Sequence, residues 1–406
     1  MRILYVDHYV GSLSMGMEFR PYYMAREWQK LGHTVRFIGA DYSHLRIKQP
    51  TVEEDFQIEE IDGEVFQWIK TIQYNGNGSR RAMSIFQFVS KLWLAAPKIA
   101  KEFKPDVVIS SSTYPLDSYP CKKLAKIAKA TYIHEAHDMW PATLIEMGGM
   151  SKKHPFVRLM AIAEKYAYSH SDKIISVLPA TLQHMLKHGL SGPDKFAYIP
   201  NGIVPEDWGN PETLDKEHQD GFDKLRGKFI VGYLGGHALT NALSTFIDAA
   251  VELKNISDVV FVLVGKGVEK QKLVDRAQKE GLKNVVFFPP VKKTQVPTAL
   301  QNMDVLYIGA GASSLYRYGI SMNKIYDYMM SGKPIINGIK AANNEIEEAG
   351  CGITIKPESS KELVEAIRHL KNMDINKREE LGARGKKWVL ENRRYETLAK
   401  KFLKEM

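Results

Sequence analysis

The apolar positions of this chain gather in short continuous runs separated by longer amphipathic stretches, the pattern of buried parallel strands alternating with helices. The first run, Arg2-Ile-Leu-Tyr-Val6, leads into a loop holding Gly11, Ser12, Ser14 and Gly16, then an amphipathic stretch from Arg20 to Leu31. Gly32-His33 ends that helix and Thr34-Val-Arg-Phe-Ile38 supplies the next strand, so this unit predicts two parallel strands joined by a right-handed crossover. Further buried strands are predicted from Val107 to Ser111, Thr131 to Glu135, Lys173 to Val177 and Phe196 to Ile199, with helical patterns between several of them. The first half therefore reads as an α/β domain.

After Pro200-Asn-Gly-Ile203 the pattern lapses. Val204 to Lys228 carries Pro205, Gly209, Asn210, Pro211 and many charges without sustained periodicity, and is expected to be a linker. A second series opens with Phe229-Ile-Val-Gly-Tyr-Leu234 and Gly235-Gly236, and continues with runs at Val259 to Val264, Val285 to Phe288, Val305 to Ile308, Pro334 to Ile336 and Gly352 to Ile355. The chain thus divides into a domain at 1–203, a linker at 204–228, a second domain at 229–388 and a C-terminal helix at 389–406 that is expected to cross back to the first domain. Two doubly wound domains of this kind would place two sets of strand C-terminal ends across one cleft, where such sheets bind ligands.

A length of 406 residues with 44% hydrophobic and 25% charged residues fits a folded two-domain protein and excludes a disordered or collagenous chain. Two cysteines, Cys121 and Cys351, exclude a disulfide framework or a cysteine-rich zinc site and fit a reducing compartment. No apolar run approaches the ~20 residues of a spanning helix. Met1 to Asp7 reads as a strand and not a signal peptide, so the expected location is cytoplasmic. The excess of 56 Lys+Arg over 47 Asp+Glu favours an anionic partner.

Strand, glycine loop, helix is the opening of a dinucleotide fold, but neither Gly11 to Gly16 nor Gly265-Lys-Gly267 completes the Gly-x-Gly-x-x-Gly fingerprint. There is no Asp-x-Asp and no Walker lysine loop, so a carboxylate-held magnesium at a transferred phosphate has no evident ligands, and metal-free chemistry is expected. Tyr132-Ile-His-Glu-Ala-His-Asp-Met-Trp-Pro141 places two histidines and two carboxylates at a strand end. A metal on His134 and His137 lacks third and fourth ligands; His137 suits hydrogen bonding to a substrate hydroxyl, or else packs against Asp138 or Glu135. From Ser314 to Pro334, an irregular loop meets a short helix running from about Met322 to Met330. Free N–H groups at its start, with Gly319, Ser321, Asn323, Arg317 and Lys324, suit an anion, and Asp327 one turn on suits the diol of a ribose. Phosphate beside ribose means a nucleotide.

Several of these motifs in order resemble family 4 of the retaining glycosyltransferases, which have the GT-B fold of two Rossmann-like domains. The matching pieces are the first strand and glycine loop, Leu31-Gly-His-Thr-Val35, His137-Asp-Met-Trp-Pro141, Ile199-Pro-Asn-Gly-Ile203, Val264-Gly-Lys-Gly267 and Tyr318-Gly-Ile-Ser-Met-Asn-Lys-Ile-Tyr-Asp-Tyr328 with Gly332-Lys-Pro-Ile335. Asp-x-Trp-Pro with Arg-Tyr-Gly-x-Ser-x-Asn-Lys is similar to the branch that builds bacterial O-antigen and capsule repeat units, including transferases of N-acetylated amino sugars. The resemblance implies a retaining hexosyltransferase that uses a UDP-sugar donor without metal or other cofactor. It places the donor-sugar histidine on His137 and the first-loop glycine, near donor phosphate and acceptor, on Gly16.

Two departures from the family pattern matter. Gly319 and Asp327 stand where the family often has two glutamates, so ribose binding is kept while the donor-sugar contact at the first is not. Gly236 and Asn241 stand where an arginine and a lysine usually grip the diphosphate, and Arg317 and Lys324, with His237, are expected to supply that positive field. The implied acceptor is a glycan or a sugar on polyprenyl diphosphate. The basic amphipathic stretch Ile85 to Lys104 suits peripheral contact with an anionic inner membrane, or packing on the first sheet. No basic and aromatic nucleic-acid module is present. The other readings are a sugar-nucleotide epimerase of the same two-domain shape and a non-catalytic sugar- or anion-binding protein.

Overall fold

In the first half of the chain the apolar runs become β1 (Arg2–Val6), β2 (Thr34–Ala40), β3 (Gln57–Ile61), β4 (Glu64–Ile69), β5 (Val107–Ser110), β6 (Thr131–Ala136), β7 (Lys173–Ser176) and β8 (Phe196–Tyr198). The structure is a computed structural model that describes residues 1–16, 19–76 and 78–406. It divides into two compact units, Met1–Asn201 with Arg317–Ile320 and Tyr395–Met406, and Gly202–Tyr316 with Ser321–Arg394.

The first unit holds one sheet in the order β3-β4-β2-β1-β5-β6-β7-β8. All its pairs are parallel except β3 with β4. Strand order reverses between β1 and β5, the switch point at which sheets of this kind open a binding crevice. β3 and β4 form a hairpin that the pattern of apolar runs does not announce: β3 is covered on one face only, and Asp62 and Gly63, both at positive φ, make the turn. The Ser79–Phe103 helix buries Phe88, Leu92, Ile99 and Phe103 against this sheet. Its apolar face is therefore largely consumed in the core, with Phe86, Trp93 and Leu94 left exposed.

The Tyr395–Leu403 helix lies on the Phe19–Lys30 helix of the first unit. Trp28 Nε1 donates to the Ala399 carbonyl at 3.1 Å, and the Trp28 ring meets Phe402 edge-on at 5.1 Å. The return to the first unit thus begins at Tyr395. Residues 389–392, expected to start it, belong to the Ile375–Asn392 helix of the second unit.

The second sheet consists of β9 (Phe229–Leu234), β10 (Val259–Val264), β11 (Val285–Phe288), β12 (Val305–Gly309), β13 (Ile335–Gly338) and β14 (Gly352–Thr354). Its order is β11-β10-β9-β12-β13-β14, parallel throughout, with the switch point between β9 and β12. Strands buried on both faces explain the unbroken apolar runs: all six residues of β10 are buried. The 204–228 segment, expected as a linker, is part of this unit and carries the Lys216–Asp223 helix. His218 and Phe222, one turn apart on it, are buried against Phe288, too short a repeat to register as periodicity.

Phe402 is fully buried although it stands four residues from the last. Phe402→Ala is expected to cost about 3–5 kcal/mol, the range for a core aromatic lost to a cavity. Calorimetric unfolding should show a lowered transition for the first unit, and an unchanged thermogram would contradict this packing.

Candidate functional site

Two clusters of polar side chains lie at strand C-terminal ends, one in each unit. In the first, the Phe19–Lys30 helix carries Arg20 inward onto Glu135 of β6, and both side chains are almost fully buried. Nε and Nη2 of Arg20 donate to Glu135 Oε1 at 3.0 and 2.8 Å. Nη1 and Nη2 also donate to the carbonyls of Pro200 and Ile199 at 2.5 and 2.9 Å, which explains the Ile-Pro-Asn-Gly segment after β8. Glu135 Oε2 accepts from Tyr5 and from Ser111 Oγ, the latter at 2.7 Å. Burial alone would raise this carboxyl; Arg20 and then His137 hold it well below the usual carboxylate range. His137 Nε2 sits 3.0 Å from Glu135 Oε2 and 2.7 Å from Ser111 Oγ, so the ring is fixed at the strand end.

His134 points elsewhere. It is buried, its Nδ1 lies 3.0 Å from Ser110 Oγ, and burial followed by the charge of His137 pushes its pKa down to about 4. Asp138 is a turn-former: it accepts from the Met139 amide, Trp140 Nε1 and Thr143 Oγ1. Gly16, at φ +66°, closes a loop in which its amide donates to the Ser12 carbonyl at 3.0 Å.

In the second unit, β9 and β10 end in Gly235-Gly236-His237 and Gly265-Lys-Gly267, and the Asn323–Met330 helix begins nearby without a side-chain cap. The glycines permit close approach. A Cβ on Gly235 would lie 2.6 Å from Lys324 Cε, and one on Gly265 would lie 2.0 Å from the Gly235 carbonyl oxygen. Lys324 runs into this space, with Nζ 2.6 Å from Tyr233 Oη and above the Tyr233 ring, and burial takes its pKa down to about 7. His237 is fully buried, and neither of its ring nitrogens has a hydrogen-bond partner among the described residues. Burial, then Lys270 and Lys324, push its imidazole down to about 4. Lys270 donates to the Gly265 and Phe288 carbonyls at 2.9 and 2.8 Å, and Lys293 grips both oxygens of Asp327 at 2.6 and 2.7 Å. Uncapped helix N–H groups, a buried lysine and an unpartnered imidazole at a switch point make an anion cradle.

Two family models match in succession: Glycosyltransferase Family 4 over residues 15–207 and Glycosyl transferases group 1 over residues 215–388. The chain belongs to the glycosyltransferases. WbjE of Pseudomonas aeruginosa, named as a probable glycosyltransferase, is 22% identical over 330 residues, 78% of each chain. WcaI of Escherichia coli K12, named as a putative colanic acid biosynthesis glycosyl transferase, is 22% identical over 285 residues, 66% of this chain and 67% of its own. Among solved structures, sucrose-phosphate synthase from Thermosynechococcus elongatus superposes with a TM-score of 0.74 at 15% identity, covering 99% of this chain and 97% of that one. Anabaena HepE in complex with UDP and glucose gives 0.70 at 16% identity, covering 100% and 98%. The fold is GT-B.

Within this glycosyltransferase the predicted residues fall into the two units. Gly16, His137, Arg317 and Gly319 belong to the first; Gly236, His237, Ser321, Asn323, Lys324 and Asp327 belong to the second. Lys324 packs against Gly235 and acts electrostatically on His237, while Arg317 belongs to the first unit. The Arg317 guanidinium is bound through two nitrogens to Glu146, both at 2.8 Å, and stacks on Tyr318, so a carboxylate already offsets its charge and keeps its pKa raised. Ser321 Oγ lies 3.4 Å from Tyr326 Oη. The sequence reading missed Arg20, Ser111, Tyr233, Lys270 and Lys293. A signal existed for the first, since an arginine on the apolar face of a helix needs a carboxylate partner, and Glu135 interrupts a buried strand.

Arg20→Met would leave Glu135 charged and unmatched in the core, at a cost of about 3–5 kcal/mol. Because the folded carboxyl is depressed, its contribution is complete above the unfolded value of ~4 and is lost as pH falls toward the lower folded one. Urea midpoints of the native enzyme should therefore decline below pH ~4, and Arg20→Met should flatten that decline; equal midpoints for the two proteins would refute the pairing.

Proposed function

We propose that this glycosyltransferase moves a hexose, N-acetylated by resemblance, from a UDP-sugar with retention of configuration onto a glycan or polyprenyl-diphosphate-linked acceptor in bacterial surface-polysaccharide synthesis. The observation that carries the donor assignment is the cradle of Lys324, His237 and the uncapped helix start beside Asp327. In this reading the diphosphate sits on the helix N–H groups and Lys324, with His237 donating from a neutral ring, and Asp327 accepts from the ribose. HepE, of the same fold, is solved with UDP and glucose, and WcaI is named for colanic acid synthesis, which supports the donor class and the setting.

Breaking the glycosidic bond loads negative charge onto the departing diphosphate, and fixed cations and N–H dipoles that meet it there lower the barrier. No divalent ion is assigned to that step: Asp327 is already held by Lys293, and the charge is met by protein cations. By resemblance His137, held by Ser111 and Glu135, contacts the donor sugar, and in this reading the acceptor hydroxyl attacks the face that the diphosphate leaves.

The cradle predicts a proton-linked ligand. Lys324 loses its proton at about 7 in the free enzyme because it is buried, and a bound diphosphate anion favours its charged form. UDP binding should therefore take up a proton at pH 8 and none at pH 6, and affinity should weaken as pH rises above about 7. Calorimetry in buffers of different ionisation enthalpy reads the uptake, which Lys324→Met should abolish together with most of kcat. A heat independent of buffer in the native enzyme would reject the assignment. Adding Mg²⁺ or Mn²⁺ should leave turnover unchanged.

A further inference from the structure

A second group of side chains, in the first unit and unused by the chemistry above, has the composition of a metal site. Glu164 is buried on the Pro155–His170 helix. His184 lies on the Leu182–Lys187 helix and His188 is its C-terminal cap. Four residues is one helical turn, so the two imidazoles lie on the same side, stacked with ring centroids 4.0 Å apart and planes 25° from parallel. One nitrogen from each and one Glu164 oxygen lie within 4.8 Å of one another. We propose that Glu164, His184 and His188 bind one divalent first-row transition ion, zinc fitting best.

The hydrogen bonds around the group are those that metal ligands need. His188 Nδ1 lies 2.8 Å from the His184 carbonyl oxygen, which can only accept, so the proton is on Nδ1 and Nε2 carries the lone pair. His184 Nδ1 lies 3.0 Å from the Tyr318 hydroxyl, which accepts from it when Nε2 ligates. Glu164 Oε1 accepts from Tyr168 Oη at 3.2 Å and lies 2.7 Å from His184 Nε2. The ion takes the place of the proton in that last contact. Zinc bonds of ~2.0–2.1 Å in a tetrahedron set ligand atoms about 3.3 Å apart, so the Glu164–His184 pair opens by roughly half an ångström and the stacked His188 ring turns to bring its Nε2 onto the ion. Two imidazoles and a carboxylate, with water as the fourth ligand, suit zinc and not magnesium or calcium, which prefer oxygen.

The ion would have a structural role. Tyr318 is held to this region twice, by its hydroxyl at His184 and by its carbonyl, which accepts from the Ala180 amide at 3.0 Å. A metal on His184 would fix the ring against which Tyr318 and its neighbour Arg317 are set.

The test uses untagged, chelator-stripped enzyme titrated with Zn²⁺ by calorimetry and with Co²⁺ by visible absorption. One equivalent per chain is expected, with cobalt bands and a melting temperature raised by zinc. His188→Ala, which leaves the Glu164–His184 contact intact, should lose all three responses, as should His188→Gln, which checks against misfolding. Tyr318→Phe should weaken zinc by about tenfold or more, and His170→Ala, an exposed histidine of the same unit, should change nothing. Failure of the native enzyme to take up stoichiometric zinc, or undiminished uptake by both His188 variants, would overturn the site.

Discussion

The buried contact between Arg20 and Glu135 is the constraint on which the first unit's chemistry rests. Two opposite charges removed from water are tolerable only when their hydrogen-bonding capacity is nearly filled. Here Arg20 gives its donors to one carboxylate and two carbonyls, while Glu135 accepts from Tyr5, Ser111 and Arg20. Together these bonds gather four elements around the end of β6: β1, the residue after β5, the Phe19–Lys30 helix and, through Arg20, the segment after β8. His137 inherits its position from that arrangement, because its Nε2 faces the same carboxylate oxygen. The ring is thereby fixed in orientation, which in the proposed reaction spares reorganisation.

The second unit handles charge in the opposite way. Lys324 lies buried with a phenol and not a carboxylate at its ammonium, and the burial that results depresses its pKa. His237 is buried without a ring partner among the described residues. Groups like these are costly to bury, and they persist where a ligand completes them. The close glycine packing of the β9 and β10 loops removes the side chains that would otherwise fill the space. In the proposed reading, the cost of burying these groups and affinity for an anion are two aspects of the same arrangement.

Much of this fold was legible because parallel strands buried on both faces leave unbroken apolar runs, as in β10, and because glycine and proline mark their ends. The β3–β4 hairpin was not, since a strand covered on one face and rich in glutamate carries little apolar signal. The packed helix inside the expected linker was hidden for a related reason, with only His218 and Phe222 to mark its inner face. At the site, residues adjacent in sequence were found as a group: Gly236, His237, and the Asn323 to Asp327 turn. Partners distant in sequence were not. Nothing local says that Lys293 pairs with Asp327 or that Arg20 pairs with Glu135. Nor does the local sequence say which carboxylate meets Arg317 across space, here Glu146.

A lysine that burial leaves only partly charged near neutral pH would have a consequence for catalysis in the proposed reaction. A permanently charged ammonium would bind the donor's diphosphate, the transition state and the released nucleotide alike, lowering KM without raising kcat. Lys324, neutralised by burial near neutral pH, gains charge in proportion to the negative charge placed beside it. In the proposed reaction that charge grows as the glycosidic bond breaks and is complete on the departed diphosphate, so the interaction is stronger in the transition state than with the bound donor. The uncapped N–H groups of the Asn323–Met330 helix respond differently: their dipoles are constant and serve to position the phosphates. Binding and acceleration are then divided between backbone and side chain. That division is consistent with a cradle in which no arginine stands at Gly236 and no lysine at Asn241, because a second fixed cation would add affinity for the product as readily as for the transition state.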